Sequence, residues 1–297
     1  MRVVYLGTSS FAAAVLRRLV QSPHRPQLVV TRPDRPRGRG RRLAAPPVVE
    51  TARELGIELY QPESVNSEEA RARIAASEPQ TVVVCAFGAL IAEPLLSDYP
   101  MLNVHPSLLP RWRGAAPVER AIMAGDERTG VSIMRLTAGL DSGPVCLTGE
   151  EPIVAQDTYG TLAERLQDLG GELLVRALDD RPAFVEQDEA GVTYAEKIGA
   201  EDRLLRGERP AVQQARVVRA LAPHIGAAVM IDADQRLGVW EAVARPDREG
   251  DPPAGELSLD GAVPVLGCSE GVLELTVVQP AGRRAMAGDA FVRGRRP

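Results

Sequence analysis

Two habits of apolar spacing alternate along most of the chain. Short runs of branched apolar residues predict strands at residues 2–6, 27–31, 57–60, 81–86, 101–104, 130–136 and 145–154. Between them lie stretches with helical spacing, at residues 11–20, 48–55, 68–76, 118–124 and 158–178. In the last of these, Leu162, Leu166, Leu169, Leu173 and Val175 track one face. Residues 81–86 are apolar almost without a break, as expected of a parallel strand buried on both faces. Strand and helix in alternation predict an α/β fold with a doubly wound, mainly parallel sheet of Rossmann type.

The alternation stops near residue 187, where a mixed polar stretch, 187–200, reads as a linker. A helix at 211–221 follows, then short apolar runs at 228–231, 237–242, 256–259, 263–266 and 272–278, separated by turn residues. That spacing predicts a small β-barrel of OB type. The expected division is therefore 1–188, a linker at 189–203, and 204–297.

Composition narrows the classes. The 297 residues are 44% hydrophobic and 25% charged, as in an ordinary globular protein. A net charge of -5 argues against a protein that coats nucleic acid. Residues 32–42, RPDRPRGRGRR, nonetheless form a basic arm, and Lys197 is the only lysine. One basic arm on an acidic protein suits a specific polyanion contact, with a solvated charge run as the plainer alternative. Cys85, Cys146 and Cys268 are far apart, with no CxxC, so a reducing cytoplasmic setting and no metal are expected. Neither an apolar leader nor an 18-residue apolar run stands in the sequence, so neither a secretory signal nor a membrane span is expected. The first strand is followed by Gly7 alone rather than GxGxxG, which argues against a bound dinucleotide.

The chemistry concentrates in residues 101–117, MLNVHPSLLPRWRGAAP. Pro106 cannot donate to a ladder, so the strand ends near His105. Asn103 and His105, two apart, then share one face at the strand's carboxyl end, where open α/β sheets bind ligands. A turn-capping Asn103 and a satisfied core His105 are the alternatives. Asp141 sits between Gly139 and Gly143, in a loop expected to stay mobile until ligand binds. A turn aspartate bonded to its own backbone is its alternative reading. His24 and His224 have no partner pattern and are expected at the surface.

The pattern Asn103-x-His105-x-Ser107-Leu108-Leu109-Pro110, with Gly139-Leu140-Asp141 downstream, resembles the signature of the formyltransferases that use 10-formyltetrahydrofolate. The resemblance implies that Asn103, His105 and Asp141 are catalytic. It also implies that Ser107, Leu108, Leu109 and Pro110, with Phe87, Gly88, Ala89 and Leu90, line the folate pocket. The basic arm and the stretch 278–286, VQPAGRRAM, are similar to those of the branch acting on methionyl-tRNA. In that branch Arg37, Arg39, Arg41 and Arg42 would contact initiator methionyl-tRNA, in an arm expected to be unordered without RNA. A cytoplasmic monomer that releases tetrahydrofolate is implied as well. The arm carries arginine where many relatives carry lysine, and residues 223–227 lack the aromatic found there in relatives.

Formyl transfer to an amine passes through a tetrahedral centre with a negative oxygen. Asn103 supplies a neutral donor, His105 a charged one when protonated, and Asp141 favours the imidazolium and accepts the amine's proton. The substrate amine is itself the nucleophile, so no serine, cysteine or metal is needed. Three rivals remain: a formyltransferase acting on an amino-sugar nucleotide, a hydrolase of 10-formyltetrahydrofolate, and an inert RNA-binding protein.

Overall fold

A computed structural model describes residues 1–37, 42–232 and 235–295. Contacts divide the chain into two compact units. The first comprises Met1–Gly114, Arg128–Pro152 and Ala163–Tyr194; the second comprises Ala115–Glu127, Ile153–Leu162 and Ala195–Pro297.

In the first unit the apolar runs become a seven-stranded sheet: β1 (Val3–Gly7), β2 (Leu28–Val30), β3 (Glu58–Tyr60), β4 (Thr81–Cys85), β5 (Met101–His105), β6 (Arg128–Arg135) and β7 (Val145–Pro152). Their spatial order is β7-β6-β5-β4-β1-β2-β3. The five strands from β5 to β3 are parallel, while β6 pairs antiparallel with β5 and β7 antiparallel with β6. Every residue of β1 and β4 is buried, which accounts for their unbroken apolar sequences. Val4, Leu6, Leu28, Val30, Val82 and Val84 form the centre of one core cluster.

The first helix, Ser10–Val20, is capped by Ser9, whose hydroxyl accepts from Ala12 N at 3.2 Å. Gly7 is required by close approach: a Cβ there would stand 2.6 Å from the Tyr5 ring and 2.9 Å from Ala12 Cβ. Strand order reverses between β1 and β4, the kind of position where open α/β sheets bind ligands at the strands' carboxyl ends.

The basic arm departs from the expected loop. Arg35–Arg37 and Arg42–Ala44 pair as an antiparallel hairpin, with Arg37 opposite Arg42. Extended backbone at Arg-Pro-Arg suits an edge strand, where proline's missing N–H is tolerated. Arg39 and Arg41 lie outside the described residues.

The second unit is built on a curled antiparallel sheet, a half-barrel, in keeping with the expected small barrel-like domain. Its strands are β8 (Ala227–Met230), β9 (Arg236–Arg245), β10 (Leu257–Ser258), β11 (Val265–Gly267), β12 (Val272–Gln279) and β13 (Met286–Ala287). They are ordered β8-β9-β12-β11-β10, with β13 on β12. Register shifts around Glu241 bend β9, as bulges do. Helix Ala211–Leu221 buries Val217, Val218 and Leu221 against this sheet, and helix Gly288–Arg293, unforeseen in the arginine-rich end, adds Phe291 and Val292.

Trp240 of β9 packs on Gly226, where a Cβ would come within 2.9 Å of the ring, and its Nε1 donates to Gln279 Oε1 at 2.9 Å. No helix among the described residues is long and apolar enough to cross a membrane.

Candidate active site

His105 is the last residue of β5, and antiparallel pairing sets it opposite Ser132 of β6. Ser132 Oγ donates to Ser107 O at 2.7 Å and accepts from Leu109 N at 3.1 Å. Ser107 is fully buried and its hydroxyl donates to Arg111 O at 2.6 Å. The turn after the strand is therefore pinned from within, with Leu108, Leu109 and Pro110 half-buried on it. Ser107 shapes this turn and has no exposed surface to offer a ligand.

The next residues supply backbone contacts that no side-chain pattern announced. Trp112 adopts φ 64°, and its carbonyl accepts from His105 Nε2 at 2.9 Å. A carbonyl only accepts, so Nε2 carries a proton and Nδ1 faces the site. That Nδ1 lies 3.6 Å from Asp141 Oδ2. Asn103 Nδ2 lies 3.4 Å from Asp141 Oδ1, and Gly114 N donates to Asp141 Oδ2 at 2.9 Å. The three residues expected to be catalytic meet at one sheet rim.

Asp141 has φ 43°, left-handed backbone that costs a non-glycine residue about 1–3 kcal/mol. The loop holding it is tied by side-chain hydrogen bonds. Gln187 Nε2 donates to both Asp141 O, at 2.8 Å, and Gly143 O, at 2.7 Å. Gln187 opens the polar stretch 187–200, and the fold brings it back to this loop.

The segment after β4 emerges one strand away, since Val84 pairs with Asn103. Phe87 is buried, and its carbonyl accepts from Thr8 Oγ1 at 2.7 Å. Gly88 O accepts from Arg32 Nη1 at 3.0 Å, and Leu90 O from Asn66 Nδ2 at 2.9 Å. Gly88 and Ala89 are exposed, and Leu90 presents 77% of its surface. This partly apolar segment therefore leaves the sheet at the same edge as the polar trio, one strand away. Arg32 links the root of the basic arm to this loop, a contact that the sequence did not signal. Of the arm's expected tRNA contacts, Arg37 and Arg42 are placed by their backbones in the hairpin, and Arg39 and Arg41 lie outside the described residues.

Of the two remaining histidines, His24 is buried rather than at the surface, while His224 is exposed as expected but has partners. His24 is 6% exposed, with Nε2 2.7 Å from Asp179 Oδ1 and Nδ1 3.2 Å from the terminal amine of Met1. His224 Nε2 lies 3.0 Å from Glu119 Oε1, and its ring stacks on Tyr159 at 3.7 Å. Burial, with Glu119 nearby, pushes the Tyr159 hydroxyl up to about 12. Their partners come from distant helices, so no local pattern pointed to them.

Comparison with known proteins identifies the family of the chain. A family described as formyl transferase matches residues 1–178, and its C-terminal domain matches residues 197–296. The chain is 43% identical over 305 residues to the methionyl-tRNA formyltransferase of Acidithiobacillus ferrooxidans, covering 100% of this chain and 96% of that enzyme. It is also 43% identical over 299 residues to that of Ruegeria pomeroyi, covering 99% and 97%. Among solved structures, HypX from Aquifex aeolicus in complex with tetrahydrofolic acid shares the fold, with a TM-score of 0.65 and 18% identity, over 99% of this chain and 47% of that one. With both domains matched and similarity running the length of the chain, the protein belongs to the methionyl-tRNA formyltransferase family.

Proposed function

We propose that this chain transfers the formyl group of 10-formyltetrahydrofolate to the α-amine of methionine esterified to initiator tRNA, acting as a cytoplasmic monomer. The observation that carries the reaction is the meeting of Asn103, His105 and Asp141 at the rim of the parallel sheet. An amino-sugar nucleotide as acceptor, or water, is not favoured, because the relatives similar over the full length are named for methionyl-tRNA.

The apolar segments 87–90 and 108–110 would hold the pterin ring and place the formyl carbon beside the trio. The amine nitrogen then bonds to that carbon, and the carbon–oxygen π pair moves onto oxygen. Asn103 has a second amide proton to offer this oxygen, besides the one directed at Asp141. His105 Nδ1, once protonated, adds a charged donor, while Nε2–H stays on Trp112 O. Asp141 accepts the proton lost by the amine, directly or through water. Collapse of the tetrahedral centre breaks the bond from carbon to N10, which takes up a proton as tetrahydrofolate leaves. Ser107 serves by holding the shape of the turn.

The arm comprising Arg37, Arg39, Arg41 and Arg42, with the half-barrel, would carry the tRNA, and a linker near 189–203 would join the parts. Mass spectrometry of methionyl-tRNA after incubation with enzyme and formyl donor should find the formyl adduct. Alanine at Asn103, His105 or Asp141 should each lower kcat by about 10²–10³. Near wild-type kcat in all three variants would refute the assigned roles.

A further inference from the structure

The Asp141 loop pairs an unfavourable backbone with an unusually well-made anchor. Asp141 is held at φ 43°, and Gly143 lies where any Cβ would meet Arg135 O at 1.9 Å, so the loop has little room to relax. Both carbonyls flanking this turn, Asp141 O and Gly143 O, accept from the single amide nitrogen of Gln187. The other end of that amide is also committed, because Gln187 Oε1 accepts from Arg113 Nε at 3.0 Å. Arg113 is 3% exposed, and its Nη2 bonds Glu189 Oε1 at 2.9 Å. A guanidinium offers only donors and the loop carbonyls offer only acceptors, so the amide fits in one orientation alone.

The same returning segment holds the other half of the site. Trp112 N donates to Thr193 Oγ1 at 2.9 Å, and Arg113 N donates to Thr193 O at 2.9 Å. Those bonds fix the carbonyl that receives His105 Nε2–H. Residues 187–193 therefore set both the carboxylate and the imidazole through the main chain of the residues that carry or receive them.

We infer that Gln187, oriented by the buried Arg113, is a positioning residue that fixes the Asp141 carboxylate against His105 and Asn103. This rests on the catalytic reading of Asp141 given above. Removing the Nε2 donor leaves two carbonyls unpaired and releases the turn, and a carboxylate displaced by about 1 Å can cost roughly 10²-fold in rate.

The test measures kcat and both KM values on methionyl-tRNA and 10-formyltetrahydrofolate for Gln187→Glu, Gln187→Met, Asp141→Asn and the Asp141→Asn/Gln187→Met double variant. Gln187→Glu keeps the acceptor for Arg113 and loses only the donor. Gln187→Met keeps the volume and covers the case in which a second carboxylate prevents folding. Expected is a fall in kcat of about 10- to 100-fold in either single variant, with both KM values within about twofold. In the Asp141→Asn background, Gln187→Met should cost less than about twofold, because a carboxylate already lost cannot be misplaced. A merely structural role would instead lower active enzyme equally in both backgrounds. Wild-type kcat in both Gln187 variants, or equal losses in both backgrounds, overturns the inference. Wild-type kcat in Asp141→Asn alone refutes the catalytic reading on which it stands, a separate outcome.

Discussion

Asp141 and Trp112 hold left-handed backbone, which aspartate tolerates better than a bulky tryptophan but which still costs both, and both sit where the site's geometry is made. Relief of that strain should misplace the groups. In Gly143→Ala the new methyl meets Arg135 O, so the backbone must shift. That variant should lose at least about tenfold in kcat while circular dichroism and substrate KM stay near wild type. Thiol reactivity is also set residue by residue. Cys85 is buried beside Tyr5, and burial pushes its thiol up to about 12; Cys268 is buried too, with burial raising it to about 11. Cys146 is half-exposed. Native protein should therefore react with a disulfide reagent first at Cys146, and unfolded protein at all three, as mass mapping of the labelled peptides would reveal. Labelling of Cys85 ahead of Cys146 would contradict the burial described.

Among elements, the first helix owes its start to Ser9, and Ser9→Ala should cost about 1 kcal/mol in denaturant unfolding. In the second unit, helix Pro117–Ala124 is tied by Arg120 to Asp202, at 2.8 and 3.0 Å. The guanidinium bonded to Asp202 holds its carboxyl below the usual carboxylate range. A depressed folded-state value means the stabilisation is present above about pH 4 and is lost as pH falls through that lower value. Because both side chains keep some exposure, it amounts to about 0.5–1 kcal/mol. Wild type and Asp202→Asn should differ by that amount at pH 7 and converge in acid. A pH-independent difference would mean that packing, not the ion pair, is responsible.

For the whole molecule, a net charge of -5 repels a polyanion, while residues 32–42 attract it locally. Methionyl-tRNA affinity should weaken steeply with salt, and each phosphate-contacting arginine removed from the arm should reduce the log–log slope by about one. The double variant Arg39→Ala/Arg41→Ala should lower that slope by about two and raise the KM for tRNA, with the KM for 10-formyltetrahydrofolate unchanged. An unaltered slope would leave the arm without a phosphate-binding role.

The sequence by itself determined the strand–helix alternation, because burial on one face or two leaves its period in the apolar residues. It also placed Asn103 and His105 together, because Pro106 ends the strand and the pleat turns residues two apart to one side. Legible too were Asp141, through its glycine-flanked loop and the family signature, and the basic arm, through charge alone. Tertiary structure decided the rest. The antiparallel turn of β6 and β7 puts Ser132 under the active turn. Trp112 O and Gly114 N are main-chain groups, identical in every residue, so no residue type could announce them. Gln187, His24 and His224 find their partners 46, 155 and 105 positions away, at Asp141, Asp179 and Glu119. Contacts of that range are fixed when packed elements close long loops, and a local pattern carries no record of which distant residue the closure will bring.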